Sequence, residues 1–478
     1  MDKLRLSKHL QIIKRPLDYA VYHSLYGQLC LLDNAGIDFL KLFHHPVSRE
    51  DVYAAYPQYP ASVLENYINQ FTSRLLIAPE DFDEYSFIAE NRAIREKSLD
   101  NGYLVRALQL ITSNSCNFKC KYCFVDNRYD SKERAEFQRR PSNMSMSYET
   151  AALAIEKLIE LQKKHRRRNL YIEFFGGEPL TNWPVIEAVL ENFKNGQNRE
   201  MEIVYSITTN GSLITEKMAE VFKKYNVTVT ISFDSPKNTE RILADGRNVF
   251  DLTRKSLEIL RRHQNWTTFN SVLSRETLHQ FDGKGLVDFA LNYQIGMIGL
   301  ILDLDLEFYQ SETNKAKVVE EIINTYQYAA SRNLPVVGYW HQIFNQITGK
   351  QLLNLHSGYK TCPATGCKLS VEPEGHIFIC KCCSGYLGHI NSLEGALHSP
   401  KYREYSMQAY RNAPECEGCE IEGFCSGVCM GSLEKKYHDI QRIEKSSCQV
   451  FRELTRRLIE NLDAKEAYQL YMPKPMET

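Results

Sequence analysis

The sequence predicts an α/β protein built around six strand–helix units, which form a partial barrel or a curved open sheet. Between residues 104 and 305, apolar strand candidates alternate with amphipathic helical stretches, a pattern typical of parallel sheets covered by helices. At 478 residues the chain is too long for one core, so several domains are expected. The predicted strands are Leu104–Thr112, Leu170–Phe175, Glu202–Thr209, Val227–Phe233, Thr268–Leu273 and Met297–Leu302. The predicted helices are Tyr148–Lys164, Pro184–Lys194, Thr215–Tyr225, Phe250–His263 and Leu286–Asn292.

Residues 1–95 predict a separate α+β module before the barrel. Two segments rich in Ile, Val, Tyr and Leu flank a turn at Pro16–Asp18, three helical patterns follow, and the acidic segment Pro79–Glu84 is interpreted as a linker. The hairpin segments are Leu10–Lys14 and Tyr19–Leu32, and the helices are Gly36–Phe43, Arg49–Ala55 and Ala61–Arg74. The module resembles the winged-helix elements that recognise peptides in peptide-modifying enzymes.

Charge and hydropathy exclude several classes of partner. The chain carries 58 Lys and Arg against 59 Asp and Glu, so no overall charge favours nucleic acid or an anionic membrane. The N-terminus lacks the apolar core of a signal peptide, and no stretch of 18 uncharged apolar residues follows. We therefore predict a cytoplasmic protein with no nucleic-acid or membrane partner. Closely spaced cysteines in a reducing compartment favour metal ligands over disulfides.

Three cysteines just past the first predicted strand form the most informative motif. Cys116, Cys120 and Cys123 can hold three corners of a four-iron cluster and leave the fourth iron without a protein ligand. A closed zinc site would need a fourth Cys or His nearby, and the adjacent sequence has none. Because parallel-strand folds place their sites at the carboxyl ends of strands, location and chemistry agree. The motif predicts a metal centre with an open position.

The next three predicted strands also end in residues suited to binding a small ligand. Gly176 and Gly177 allow close backbone approach, and Glu178 places a carboxylate beside them. Short polar side chains at Asn210, Ser232 and Asp234 suit hydrogen bonds to a ribose or carboxylate.

With these motifs in this order, the chain resembles a radical S-adenosylmethionine (SAM) enzyme, which implies a partial (β/α)6 radical SAM barrel in residues 96–310. The resemblance implies that SAM binds the open iron and is cleaved to a 5′-deoxyadenosyl radical. It places Tyr122 against the adenine, and an arginine with two-pronged geometry at the SAM carboxylate. Arg241 aligns with that position better than Arg247. The predicted SAM contacts are Tyr122, Gly176, Gly177, Glu178, Asn210, Ser232, Asp234 and Arg241.

A second cysteine-rich region follows a predicted helical bridge at 311–355 and occupies residues 356–478. Four closely spaced cysteines predict metal binding, and four further thiolates raise the total to eight, enough for two fully ligated clusters rather than one zinc. The four-residue run is Cys416, Cys419, Cys425 and Cys429, and the others are Cys362, Cys367, Cys380 and Cys448. Cys382 and Cys383 are left over, and the alternatives for them are reactive spares, alternative ligands or small buried residues, of which we favour the last.

This arrangement resembles the SPASM domain of radical SAM peptide maturases, with Gly375 before Cys380 in a Gly-x4-Cys motif. The resemblance assigns Cys362, Cys367, Cys380 and Cys429 to a first auxiliary cluster. It assigns Cys416, Cys419, Cys425 and Cys448 to a second. The expected cofactors are therefore three 4Fe–4S clusters and SAM, with flavodoxin or ferredoxin as electron donor.

The resemblance implies a maturase that modifies a ribosomally made precursor peptide whose leader is held by the N-terminal module. The leading hypothesis is a Cys-to-carbon thioether, and the alternatives are a carbon–carbon or carbon–oxygen crosslink or epimerisation. Sulfatase maturation to formylglycine is less favoured, because those relatives carry Asp where this chain has Lys381. A winged-helix sensor using its clusters only as a switch is the remote alternative. No motif marks a catalytic base.

Overall fold

The computed structural model describes residues 3–125, 144–194, 201–237, 240–243, 245–350, 362, 364–410 and 413–472. The N-terminal part contains the predicted hairpin and the three helices, while the winged-helix likeness stays a prediction. Its elements are β1 (Leu4–Leu6), β2 (Leu10–Lys14), β3 (Tyr19–His23), β4 (Gly27–Leu32), α1 (Asn34–Lys41), α2 (Arg49–Ala55), α3 (Ala61–Ser73), β5 (Ile77–Pro79) and α4 (Ser86–Leu99). Ser48 begins α2 with a reciprocal capping box to Asp51, as its position before a helical pattern indicates.

The acidic segment interpreted as a linker is instead part of the folded module. Its first residue ends β5, which pairs with β1, and the Glu84 carboxylate is buried. Glu84 accepts hydrogen bonds from Arg5, Ser7 and His23. Burial alone would raise the pKa of Glu84, but these hydrogen bonds outweigh burial and hold the pKa well below its usual range. An acidic run is normally solvated, and no sequence pattern indicated that Glu84 would have these hydrogen-bond partners.

The central region confirms the predicted alternation of strands and helices. Six parallel strands lie side by side in the order β11-β10-β9-β8-β7-β6. In chain order the elements are β6 (Ala107–Ser113), α5 (Tyr148–Lys164), β7 (Asn169–Gly176), α6 (Trp183–Asn192), β8 (Glu202–Thr209), α7 (Glu216–Lys224), β9 (Thr228–Ser232), α8 (Phe250–Arg262), β10 (Thr267–Leu273), α9 (Gly283–Asn292) and β11 (Met297–Leu302). All six strand ends therefore meet at one edge of the sheet.

The C-terminal region extends the same sheet, which the sequence did not predict. Its strand β13 pairs in parallel with β6, and β14 and β15 continue the sheet antiparallel. The elements are α10 (Glu312–Ala330), β12 (Val336–Val337), α11 (Tyr339–Ile347), β13 (Lys368–Val371), β14 (His376–Phe378), β15 (Tyr386–His389), α12 (Leu393–Leu397), α13 (Pro400–Ser406), α14 (Met430–Tyr437), α15 (Lys445–Glu460) and β16 (Tyr468–Gln469). With β12 on the far side, the sheet has ten strands. The cysteine-rich region is thus joined to the first barrel strand.

The N-terminal module contacts the C-terminal region through backbone hydrogen bonds and a shared strand pair. The Gly423 amide donates to the Ser24 carbonyl at 3.0 Å, and a Cβ on Gly423 would come 2.2 Å from the Leu25 oxygen, so only glycine allows this approach. Strand β16 pairs in parallel with β4, and Leu470 and Met472 join the apolar core of the module. Among the described residues, no helix is long and apolar enough to cross a bilayer.

Candidate functional site

The cysteine loop, residues 113–123, begins at the last residue of β6 and brings its three thiols together. The Phe118 amide donates to the Cys116 sulfur at 3.3 Å, and the Cys123 amide donates to the Cys120 carbonyl at 3.1 Å. Desolvation, together with the nearby charges of Glu178, Cys120 and Cys123, raises the pKa of Cys116 to about 11. A bound cation would have to displace the thiol protons, because metal ligands of this kind bind as thiolates.

The glycines that end β7 press directly against this loop. The Gly177 amide donates to the Ser113 carbonyl at 2.9 Å, and the Glu178 amide donates to the Ser115 carbonyl at 2.7 Å. A Cβ on Gly176 would lie 2.3 Å from the Ser113 oxygen, and one on Gly177 would lie 2.4 Å from the Ser115 oxygen. Both glycines are therefore needed for the two strand ends to meet.

Glu178 braces the neighbouring strand ends rather than lying open. It is 1% exposed and accepts hydrogen bonds from Thr209 Oγ1 at 2.6 Å, the Asn210 amide at 2.7 Å and the Leu180 amide at 3.0 Å. Burial raises the pKa of Glu178 to about 7, against the effect of these donors. Asn210 in turn donates from Nδ2 to Asn117 Oδ1 at 2.9 Å. The ends of β6, β7 and β8 thus form one hydrogen-bonded unit.

The fourth strand contributes a buried ion pair beside the same loop. Arg241 Nε lies 2.9 Å from Asp234 Oδ2, and Tyr122 donates its hydroxyl to the same carboxylate. Arg241 Nη1 is 4.0 Å from the Cys120 sulfur, and the guanidinium lies 5.4 Å from the centre of the Tyr122 ring. Arg247, the alternative from the sequence, is exposed and pairs with its neighbour Asp245. Of the two, the structure places Arg241 at the loop.

Ser232 is the last residue of β9 and is half-buried. The structure therefore brings all the sequence-predicted residues of this region to one edge of the sheet. The cysteine loop, the glycine pair, Glu178, Asn210 and the Asp234–Arg241 pair are joined by direct contacts.

The second auxiliary site gathers the four cysteines that the resemblance groups together. Cys416, Cys419, Cys425 and Cys448 line one small cavity together with Ile421, Val428 and Arg452. Burial raises the pKa of Cys448 to about 12, and the other three thiols raise it further. Residues from a loop and from α15 thus converge on one place with four soft ligands.

The first auxiliary site gathers three of its four predicted cysteines and two others. The pKa of Cys362 is raised by burial and by the nearby Cys429 and Cys380. Cys382 hydrogen-bonds the sulfurs of Cys380 and Cys429. Cys383 is buried and hydrogen-bonds Cys380. Interpreting Cys382 as a mere small buried residue overlooked these sulfur contacts, which only the folded chain shows.

The cysteine loop and the two C-terminal groups of cysteines offer sulfur donors alone, and iron–sulfur clusters are held by cysteine thiolates. Sulfur-only sets also match the ligand preference of such clusters. In the cysteine loop, three thiols leave one iron for a ligand other than protein.

The structure places inside the barrel two charged groups that the sequence analysis did not assign to the site. Glu173 on β7 lies 3.0 Å from Lys368 Nζ and accepts a hydrogen bond from Gln109 at 2.9 Å. Lys381 is 1% exposed, and its Nζ lies 4.8 Å from the centre of the Phe175 ring. For Glu173, the available sequence signal was a charged residue at a strand position that faces the barrel interior. Lys381 is recognisable only once β14 is placed beside the barrel.

A parallel sheet with a three-thiol loop at its strand ends defines an iron–sulfur protein of the α/β barrel class. The model of the radical SAM superfamily matches residues 110–283. The radical SAM cyclopropyl synthase TigE of Paramaledivibacter caminithermalis is 41% identical over 459 residues, 96% of each chain. The chain therefore belongs to the radical SAM superfamily, and membership implies a 4Fe–4S cluster and SAM as cofactors.

More distant similarities agree on the fold. A cysteine-type anaerobic sulfatase-maturating enzyme of Clostridium perfringens is 21% identical over 343 residues, 68% of this chain and 88% of that protein. The solved structure of native anSMEcpe with bound AdoMet superposes with a TM-score of 0.59 at 19% identity. The match covers 74% of this chain and 97% of that one. This likeness extends the shared fold beyond the barrel.

We expect Arg241→Met to destabilise the protein far more than Arg247→Met. Removing Arg241 leaves the buried Asp234 carboxylate without its cation, which costs about 3 kcal/mol or more. The exposed Arg247–Asp245 pair is worth under about 1 kcal/mol. Anaerobic urea unfolding followed by circular dichroism measures both. Adding Asp234→Asn to Arg241→Met should restore part of the loss, whereas equal, small losses in both single variants would contradict a buried pair.

Proposed function

We propose that this protein is a maturase that modifies a ribosomally made precursor peptide by radical chemistry. The carrying observation is the direct backbone contact between the cysteine loop and the Gly176–Glu178 strand end. SAM bound at the open iron supplies a 5′-deoxyadenosyl radical, which takes a hydrogen atom from the substrate. The 41% identity with TigE over nearly the whole chain supports an enzyme rather than a sensor.

In this proposal the strand ends position SAM. Cys116, Cys120 and Cys123 hold the cluster, and the closely packed glycines let the backbone reach the ligand. Glu178 has a pKa of about 7, so a ligand ammonium beside it would favour its charged form. Glu178 also holds Asn210 in place through its hydrogen bond to the Asn210 amide. Ser232, Asp234, Arg241 and Tyr122 complete the pocket.

The auxiliary sites are proposed to accept an electron from the substrate. Loss of one hydrogen atom, followed by loss of one electron and one proton, oxidises the peptide by two electrons in total. Thiolate-ligated clusters are suitable one-electron acceptors. Cys416, Cys419, Cys425 and Cys448 would hold the second auxiliary cluster. Cys362, Cys380 and Cys429 would hold three irons of the first. Flavodoxin or ferredoxin remains our proposal for the donor that reduces the radical-generating cluster.

A carbon–carbon bond is the product that the comparisons favour. TigE is a cyclopropyl synthase, and closing a three-carbon ring from an open chain forms a carbon–carbon bond. This was the alternative in the sequence analysis, and the Cys-to-carbon thioether stays a prediction that no observation tests. Formylglycine formation is less supported, because the sulfatase-maturating relative is only 21% identical.

The N-terminal module is proposed to hold the peptide leader on strand β2. The four-stranded sheet runs β16-β4-β3-β2, so β16 of the same chain covers the β4 edge. On the other side, β2 is the last strand among the described residues, and Ile12 is 48% exposed. An extended peptide can add to such an edge through backbone hydrogen bonds. The open edge of the hairpin is therefore the docking edge.

We expect the reconstituted enzyme, with SAM and a strong reductant, to release 5′-deoxyadenosine and to make a peptide product lighter by two hydrogens. The substrate to test is a short peptide encoded beside the gene. Mass spectrometry should find every product cysteine still open to alkylation, because a carbon–carbon bond uses no thiol. Replacing Cys116, Cys120 and Cys123 by Ala should abolish both products. A protected cysteine would instead identify a thioether, and absence of deoxyadenosine would exclude radical chemistry.

We expect Ile12→Glu to weaken leader binding about tenfold, because the apolar contact at the β2 edge is worth at least about 1.4 kcal/mol. Fluorescence anisotropy of the labelled leader of that peptide measures the affinity. Ile94→Glu is the matched control, since Ile94 on α4 is 44% exposed and lies away from the edge strand. Equal affinity of the wild type and the Ile12 variant would place the leader elsewhere.

A further inference from the structure

Cys382 lies where a ligand of the first auxiliary cluster should lie. Its thiol hydrogen-bonds the sulfurs of both Cys380 and Cys429. Its amide also donates to the Cys380 sulfur at 3.5 Å. Cys380 and Cys429 are two of the cysteines that the SPASM resemblance assigns to this cluster, and Cys362 lies within electrostatic reach of both. Cys382 is therefore placed among thiols that come from three separate parts of the chain.

The backbone of Cys382 is held firmly in this position. Helix α14 begins directly after Cys429, and Gly431 lies in its first turn. A Cβ on Gly431 would come 1.9 Å from the Cys382 carbonyl oxygen and 3.2 Å from the Cys382 Cβ. Glycine at this position lets the Cys380–Cys383 segment pack against the start of α14. The packing of Gly431 thus fixes the position of the Cys380–Cys383 segment relative to the Cys429 sulfur.

Lys368 adds a charge that suits thiolates at this place. Its side chain is near the sulfurs of both Cys380 and Cys382, and it pairs with Glu173 at 3.0 Å. Lys368 on β13 therefore lies beside the same group of sulfurs as Cys429 and Cys362.

Cys367 interacts with a different set of residues. Cys367 directly precedes β13, and its carbonyl accepts hydrogen bonds from the Arg106 amide at 2.9 Å and the Ala107 amide at 3.2 Å. Its thiol acts electrostatically on Arg167 and Tyr402. These partners belong to the loops before β6 and β7 and to α13. Cys382 is therefore better placed than Cys367 to be the fourth ligand of this cluster.

We propose that Cys382 supplies the fourth thiolate of the first auxiliary cluster, with Cys362, Cys380 and Cys429, and that Cys367 is not a ligand. Each iron of a four-iron cluster accepts a single cysteine. Cys382 and Cys367 therefore cannot both be ligands beside Cys362, Cys380 and Cys429. The inference rests on the proposed auxiliary clusters. The experiment measures iron content, so this proposal can fail while the proposed peptide chemistry stands.

This ligand set has a consequence for the barrel. Cys380 and Cys382 would anchor both sides of Lys381, whose ammonium lies over the Phe175 ring. Phe175 directly precedes the Gly176–Gly177 pair that contacts the cysteine loop. The cluster would thus hold the Lys381 cation beside the strand end that contacts the cysteine loop.

The test compares three single serine variants in a background that keeps only the auxiliary clusters. The background carries Cys116→Ala, Cys120→Ala and Cys123→Ala, and should hold about eight irons per chain after anaerobic reconstitution. Adding Cys382→Ser should lower the iron content to between about four and seven per chain, with loss of the first cluster or its conversion to a three-iron form visible by electron paramagnetic resonance. Cys367→Ser should keep about eight irons and unchanged spectra. The matched control Cys30→Ser should do the same, because Cys30 lies in the apolar core of the N-terminal module.

Two results would overturn the proposal. One is retention of full iron and an unchanged spectrum in Cys382→Ser. The other is loss of iron in Cys367→Ser, whatever the Cys382 variant does. If Cys382→Ser proves insoluble, Cys382→Ala takes its place with the same expected loss of iron, and loss of iron in Cys367→Ser still overturns the proposal.

Discussion

The contact between the end of β7 and the cysteine loop is the constraint on which the rest of the site depends. Two backbone hydrogen bonds join these segments, and neither Gly176 nor Gly177 has room for a Cβ. This contact brings the thiols within reach of Glu178, which in turn holds the ends of β7 and β8 together. A side chain at either glycine would push the loop away from the strand ends, and the open iron would lose its ligand pocket. Chemistry at this iron therefore depends on backbone packing before it depends on any side chain.

Much of the barrel was predictable because its signals are local. Apolar strands alternating with amphipathic helices gave all six parallel strands, and the strand-end motifs gave the site that they share. The features that the sequence did not predict depend on long-range contacts. Strands β13 to β15 are three or four residues long, too short for a periodic pattern, and pair with β6 or with one another. Glu84 looked solvated until Arg5, Ser7 and His23 were placed around it. Cys382 looked unassigned until the fold brought Cys429 to it.

Buried charge is distributed in pairs along the path from the radical site to the auxiliary site. Asp234 and Arg241 lie at the cysteine loop, and Glu173 and Lys368 lie inside the barrel near Cys380. Unpaired buried charges are costly, so each pair must be retained as a unit or replaced as a unit. A cation beside sulfur ligands would favour the reduced, more negative state of the cluster that we propose at the first auxiliary site. Lys368, which is near Cys380 and Cys382, is such a cation.

The central claim is that the open iron of the cysteine-loop cluster binds SAM. Electron paramagnetic resonance of the anaerobically reduced protein, recorded with and without SAM, tests it most directly. We predict that SAM shifts the signal of one cluster, and that both this signal and its shift disappear when Cys116, Cys120 and Cys123 are replaced by Ala. A spectrum that SAM leaves unchanged, or a shift that persists in the variant, would contradict the assignment.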